Sequence, residues 1–161
     1  FPVMRVNESY LDGNARLELP FGVTEGEPKV DQAANLALWA EAVWFPTVFL
    51  TDPRVRWEPV DDATALLVVP FGETEENLVM QFDEQSVMPR YITSMRYKEA
   101  TSERKSLWIN EVRDWGEVDG NPVPTVAAVT WYEDGSPWAV LEVDEAAFNV
   151  DVSEYIRSRG P

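Results

Sequence analysis

Apolar residues crowd one stretch of the chain, 31–50 (DQAANLALWAEAVWFPTVFL), and alternate with polar residues almost everywhere else. At about 100° per residue, Leu36, Trp39, Ala40, Val43 and Trp44 fall on one broad face, and Ala34, Ala37, Leu38 and Phe45 occupy much of the other. Only Gln32, Asn35 and Glu41 interrupt the apolar surface. The spacing predicts a helix over about 32–45, capped by the Asp31 carboxylate and stopped by Pro46, which has no amide to continue the ladder. A helix apolar nearly all round must be covered on more than one side. At about 14 residues it is too short to cross a bilayer, which takes about 20. It is expected to be clasped by a sheet.

The remaining pattern is strand-like. Residues 3–19 read as a first hairpin turning at Asp12-Gly13-Asn14, and 20–28 as a Gly/Glu/Pro loop feeding the helix. After a turn at Thr51-Asp52-Pro53, Val55-Arg56-Trp57-Glu58 opens a second strand series. Residues 63–69 are apolar on both faces; 77–83 alternate, with Leu78, Met80 and Phe82 inward. In 90–98, Tyr91, Thr93, Met95 and Tyr97 are expected on the core face. Further strands are predicted at 105–113, 123–132 and 137–143, separated by Asp119-Gly120-Asn121-Pro122 and Glu133-Asp134-Gly135-Ser136. Residues 152–159 read as a last short helix. Turns every ten or so residues imply an antiparallel meander. The predicted class is α+β: one domain over 1–161, with a strongly curved antiparallel half-barrel of about seven to nine strands and the apolar helix on its concave face.

Composition narrows the chemistry. There is no cysteine and no histidine among the 161 residues, which removes thiolate nucleophiles, His-based triads and His- or Cys-ligated metals. No cofactor and no metal are expected. With 29 acidic against 13 basic residues the net charge is −16, which repels phosphate backbones, so nucleic acid is not an expected partner. A carboxylate-rich, lysine-poor surface is one that high salt would screen. The chain begins at Phe1 and shows no signal peptide or membrane span, so it is expected to be a processed or excised part of something longer.

The acidic turn tripeptides lack the spacing of a calcium loop and are accounted for by hairpin chemistry. The neighbours Asp61/Asp62 and Glu75/Glu76 point to opposite faces of a strand and cannot form an acid/base pair. Glu41, set in an apolar helix, needs a partner. A structural ion pair with Arg56, Arg90 or Arg96 is expected.

Several ordered motifs, Glu41-x-x-Trp44-x-Pro46, Val55-Arg56-Trp57-Glu58, Arg96-Tyr97, Trp108, and Trp115-x-x-Val118-Asp119-Gly120-x-x-Val123-Pro124-Thr125, then Trp131 and Trp138, resemble an uncharacterised prokaryotic family of unknown function. Members of that family often carry membrane helices ahead of this domain. The Asp-Gly-x-x-Val-Pro-Thr strand and the helix-plus-meander layout are also similar to the lipoprotein carriers typified by LolA, LolB and LppX. That resemblance implies an extracytoplasmic or membrane-associated, non-enzymatic protein, any membrane association lying in segments outside this chain.

Seven tryptophans exceed what a core of this size requires. The expected function is therefore binding of a lipid or other apolar small molecule between helix and sheet, lined by Trp39, Trp44, Phe49, Leu78, Met80, Phe82, Tyr91 and Met95. The opposed reading is that these side chains close on one another as an ordinary core, leaving an extracytoplasmic structural or interaction module. The oligomeric state is not legible.

Overall fold

The structure, a computed structural model, describes residues 6–154. Strands β1 (Asn7–Leu11) and β2 (Asn14–Leu19) form a hairpin on Asp12 and Gly13, whose φ values of 50° and 84° give the two-residue turn that matches strand twist. A short strand, β3 (Gly22–Glu25), pairs with β2, so the expected loop at 20–28 is in part a third strand of a small sheet.

The long helix α1 runs Pro28–Glu41 and tightens into a 3₁₀ turn at Ala42–Trp44. It starts before the expected position because Pro28 sits in the first turn, where a missing amide costs nothing. Asp31 is therefore not the cap. Its Oδ1 accepts the Ala15 amide of β2 at 2.7 Å and ties the helix to the small sheet. One further turn, α2 (Val48–Thr51), follows Pro46.

Seven antiparallel strands make the second sheet: β4 (Arg56–Asp61), β5 (Thr64–Phe71), β6 (Thr74–Phe82), β7 (Pro89–Arg96), β8 (Ser106–Val118), β9 (Asn121–Trp131) and β10 (Pro137–Glu142). They lie in chain order and the sheet is not closed, so β4 and β10 are its edges. The architecture is α+β, mostly antiparallel strand with one long helix. Asp119 and Gly120, at φ of 51° and 77°, repeat between β8 and β9 the turn of the first hairpin. Of the expected final helix at 152–159, residues 155–159 lie outside the described residues.

α1 touches β1 and β2 on one side and β5, β6 and β7 on the other. Two sheets rather than one clasp it, so it is covered on more than one side. Toward the large sheet, Leu36, Trp39, Ala40 and Val43 join Leu67, Val69, Leu78, Met80, Ile92, Trp108, Val112, Val129 and Trp131 in one buried cluster. Full burial of each large apolar side chain contributes about 1.5–3 kcal/mol.

The register fixes which strand residues face this core. Met80 pairs with Ile92, and Ser94 with Trp108. Because alternate residues share a face, Ile92, Ser94 and Arg96 point toward α1, and Tyr91, Thr93 and Met95 point away. This corrects the expected orientation of β7. Ile92 is 1 % exposed, Met95 50 %. The sequence misled because two of the three inward residues of β7 are polar.

Candidate functional site

The inward polar residues of β7 include buried polar atoms left unpaired among the described residues. Elsewhere buried donors find acceptors: Trp44 Nε1 donates to the Pro124 carbonyl at 3.0 Å, Trp57 Nε1 to the Phe49 carbonyl at 3.2 Å, and Asn110 Nδ2 to the Ile92 carbonyl at 3.2 Å. Four buried atoms have no such partner among the described residues: Asn35 Nδ2, Ser94 Oγ, Arg96 Nε and Trp108 Nε1. Asn35, Ser94 and Trp108 are 2 %, 4 % and 4 % exposed. Leaving such a group unpaired costs about 1–3 kcal/mol.

Ser94, Arg96 and Trp108 belong together in space. Ser94 is opposite Trp108 across the β7–β8 ladder, and Arg96 follows Ser94 on the same face. The Arg96 guanidinium lies 4.3 Å from the Trp108 ring centroid and 5.5 Å from that of Trp131, a cation–π stack against two tilted rings 6.5 Å apart. Asn35 sits on α1, its Oδ1 accepting from the Tyr10 hydroxyl of β1 at 3.0 Å. A cation, an indole and a hydroxyl thus share the helix-facing side of β7 and β8.

Two carboxylates stand at the rim. Glu8 on β1 and Glu41 at the end of α1 both act on Arg96 electrostatically, yet neither is close enough to form an ion pair with it. Burial pushes the Arg96 pKa down to about 10 against the opposing pull of Glu8 and Glu41, so it stays cationic at neutral pH. Glu41 keeps solvent access, and its pKa is raised, first by partial burial, then by Glu8, with Arg96 opposing.

The expected partners of Glu41 separate accordingly. Arg56 bonds Glu75 and Glu58, and Arg90 bonds Glu111 at 2.8 Å. Only Arg96 lies near Glu41, as an electrostatic neighbour without a direct bond.

Of the residues expected to line an apolar pocket, Trp39, Phe49, Leu78 and Met80 are buried in the core cluster, with Trp44 and Phe82 packed against its margin. They are one another's neighbours. Tyr91 and Met95 lie on the opposite face, where the Tyr91 hydroxyl meets Glu111 at 3.3 Å. Sequence reasoning singled out Arg96 but missed Asn35, Ser94 and Trp108 as a group. The available signal was polar residues on the helix surface and alternating with Ile92, and it shows only once β7 is placed the right way round.

Chemically the cluster offers hydrogen-bond donors and one cation to an acceptor. Among the described residues there is no group of three or more carboxylates placed to hold a metal, and no helix is long and apolar enough to cross a membrane.

A family model matches residues 1–143, and with it most of the described fold and the whole cluster. The chain belongs to the family of unknown function DUF6544. No curated protein and no solved structure matches it, so the layout likeness to the lipoprotein carriers gains no neighbour. For this DUF6544 chain the argument about function therefore rests on the cluster itself.

Proposed function

We propose that this domain is a non-enzymatic binding module that holds the polar end of an amphiphilic ligand between α1 and the seven-stranded sheet. The observation that carries the reading is the set of four buried, unpaired polar atoms on Asn35, Ser94, Arg96 and Trp108. Structural polar groups inside proteins are paired, and unpaired ones concentrate where a ligand completes them. Leu38, one turn before Glu41 on the same side of α1, is half exposed and offers an apolar contact at the rim. The reading takes the large sheet to curve around α1 as a half-barrel, with the ligand at its seam, in the manner of the lipoprotein carriers and in an extracytoplasmic setting.

A second reading, a partner-docking module, is favoured by edge strand β10, where Trp138 is 64 % exposed beside exposed Val140 and Leu141.

Native mass spectrometry of the purified chain, with and without Ser94→Ala and Trp108→Phe, tests the first reading. Ser94→Ala deletes a donor and nearly keeps the shape, so it is expected to leave stability unchanged or raise it by up to about 1 kcal/mol, whereas Trp108→Phe also removes a fused ring from the core cluster and is expected to cost about 1–3 kcal/mol; both are expected to abolish copurification of an amphiphile. Loss of more than about 1 kcal/mol in Ser94→Ala, with no bound species on the wild-type chain, would assign the donors to the fold and remove the proposal.

A further inference from the structure

We infer that the group held by Asn35, Ser94, Arg96 and Trp108 is a carboxylate; the inference rests on the binding reading above and names the chemistry of its ligand. Ionised carboxyl groups accept only, through two oxygens with about four lone-pair sites. The cluster presents the complementary set: the Arg96 Nε–H, the Trp108 Nε1–H, the Asn35 Nδ2 amide and a Ser94 hydroxyl free to turn its proton inward.

Competing groups fit less well. A neutral ester or amide carbonyl has two lone pairs and would leave half of the donors unmet. An alcohol brings a proton of its own to a site that already has donors in excess. A phosphate brings a second negative charge and further oxygens toward a cation whose surroundings already include Glu8 and Glu41.

Charge also favours one anion and one only. Arg96 is the cation of the cluster, and its guanidinium is stacked on Trp108 and Trp131 rather than bonded to Glu8 or Glu41. Its N–H fork is thus not committed to a protein carboxylate, and a charge-assisted bond from a guanidinium is about twice as strong as a neutral one. The stack also fixes the guanidinium plane. A planar acceptor can therefore be met without further ordering of a long side chain.

The test uses the full chain with acetate, decanoate, decanol and decyl phosphate. Binding is followed by calorimetry and by the indole N–H resonance of Trp108, assigned by its loss in Trp108→Phe. Decanoate is expected to saturate and to shift that resonance, with decanol weaker by at least about tenfold. Arg96→Met should weaken decanoate by a similar factor and weaken decanol by much less, since only the ionised group gains a charge-assisted bond. Should Arg96→Met fail to fold, Ser94→Ala is expected to weaken decanoate severalfold.

Acetate binding as tightly as decanoate would uphold the carboxylate and overturn the amphiphile. Decanol binding as tightly as decanoate, or decyl phosphate more tightly, would overturn the carboxylate and keep the amphiphile. Absence of saturable binding by every compound would overturn both.

Discussion

Gln32 and Asn35 lie one turn apart on α1, both carry a primary amide, and both are almost wholly buried. The fold treats them differently. Gln32 spends every polar atom: Nε2 donates to Glu76 at 3.0 Å and to the Met95 carbonyl at 3.1 Å, and Oε1 accepts the Tyr97 amide at 3.3 Å. Lys105 completes Glu76 from the far side at 2.8 Å. Asn35 accepts from Tyr10 and leaves its Nδ2 unpaired. A buried amide with a full set of partners fastens the helix to the end of β7. One with half a set leaves a donor that the proposed ligand would complete.

Substitution should separate the two. Gln32→Leu removes three hydrogen bonds and strands a backbone carbonyl and a backbone amide, so a loss of about 3 kcal/mol is expected, read as a lower urea midpoint at unchanged slope. Asn35→Leu removes one bond, that from Tyr10, together with one orphan donor. These effects oppose, and the net change should stay within about 1 kcal/mol of the wild type. Equal losses in the two variants would break the comparison, since Asn35 would then be as structural as Gln32.

The same contrast explains what could be read from the sequence. The apolar helix, the Asp-Gly turns and the order of strands in the large sheet were legible because each has a local cause: a 3.6-residue period, a positive φ, an alternation of period two. The third strand of the small sheet was not, because Gly22–Glu25 is four residues long and lies between Gly and Pro signals that also describe a loop. The helix start was missed by four residues because Asp31 looks like a cap, whereas its carboxylate serves β2 and Pro28 sets the first turn. The site was half legible. Arg96 was named, but as the partner of Glu41, and Tyr91 and Met95 were placed inward because size and apolarity outvoted Ser94 and Arg96. Period-two reasoning assigns the apolar row to the core, and it fails where a strand turns polar groups inward, as β7 does with Ser94 and Arg96.

The smallest expected effect bears on that misplaced pair. A buried Glu41–Arg96 bridge would make Glu41→Gln cost about 3–5 kcal/mol, whereas a solvent-accessible carboxylate without a direct bond should change stability by less than about 1. The direction follows from the carboxyl group. Its pKa in the folded chain is raised above the ordinary value of 4.5, mainly by partial burial and then by Glu8, so folding favours the protonated form. The stability this contributes is fully present below pH 4.5 and is lost as pH rises through the folded value, leaving the ionised group slightly unfavourable at neutral pH. Glutamine cannot ionise, so Glu41→Gln should be as stable as the wild type at pH 7, or slightly more so, and the two should converge on acidification. Urea midpoints at pH 7 and in acid below the ordinary glutamate range measure both ends. The same variant removes a rim charge facing the Arg96 cluster and should tighten decanoate binding at pH 7, whereas a true ion-pair partner, once lost, would cost several kcal/mol and leave Arg96 free to move off its tryptophan stack.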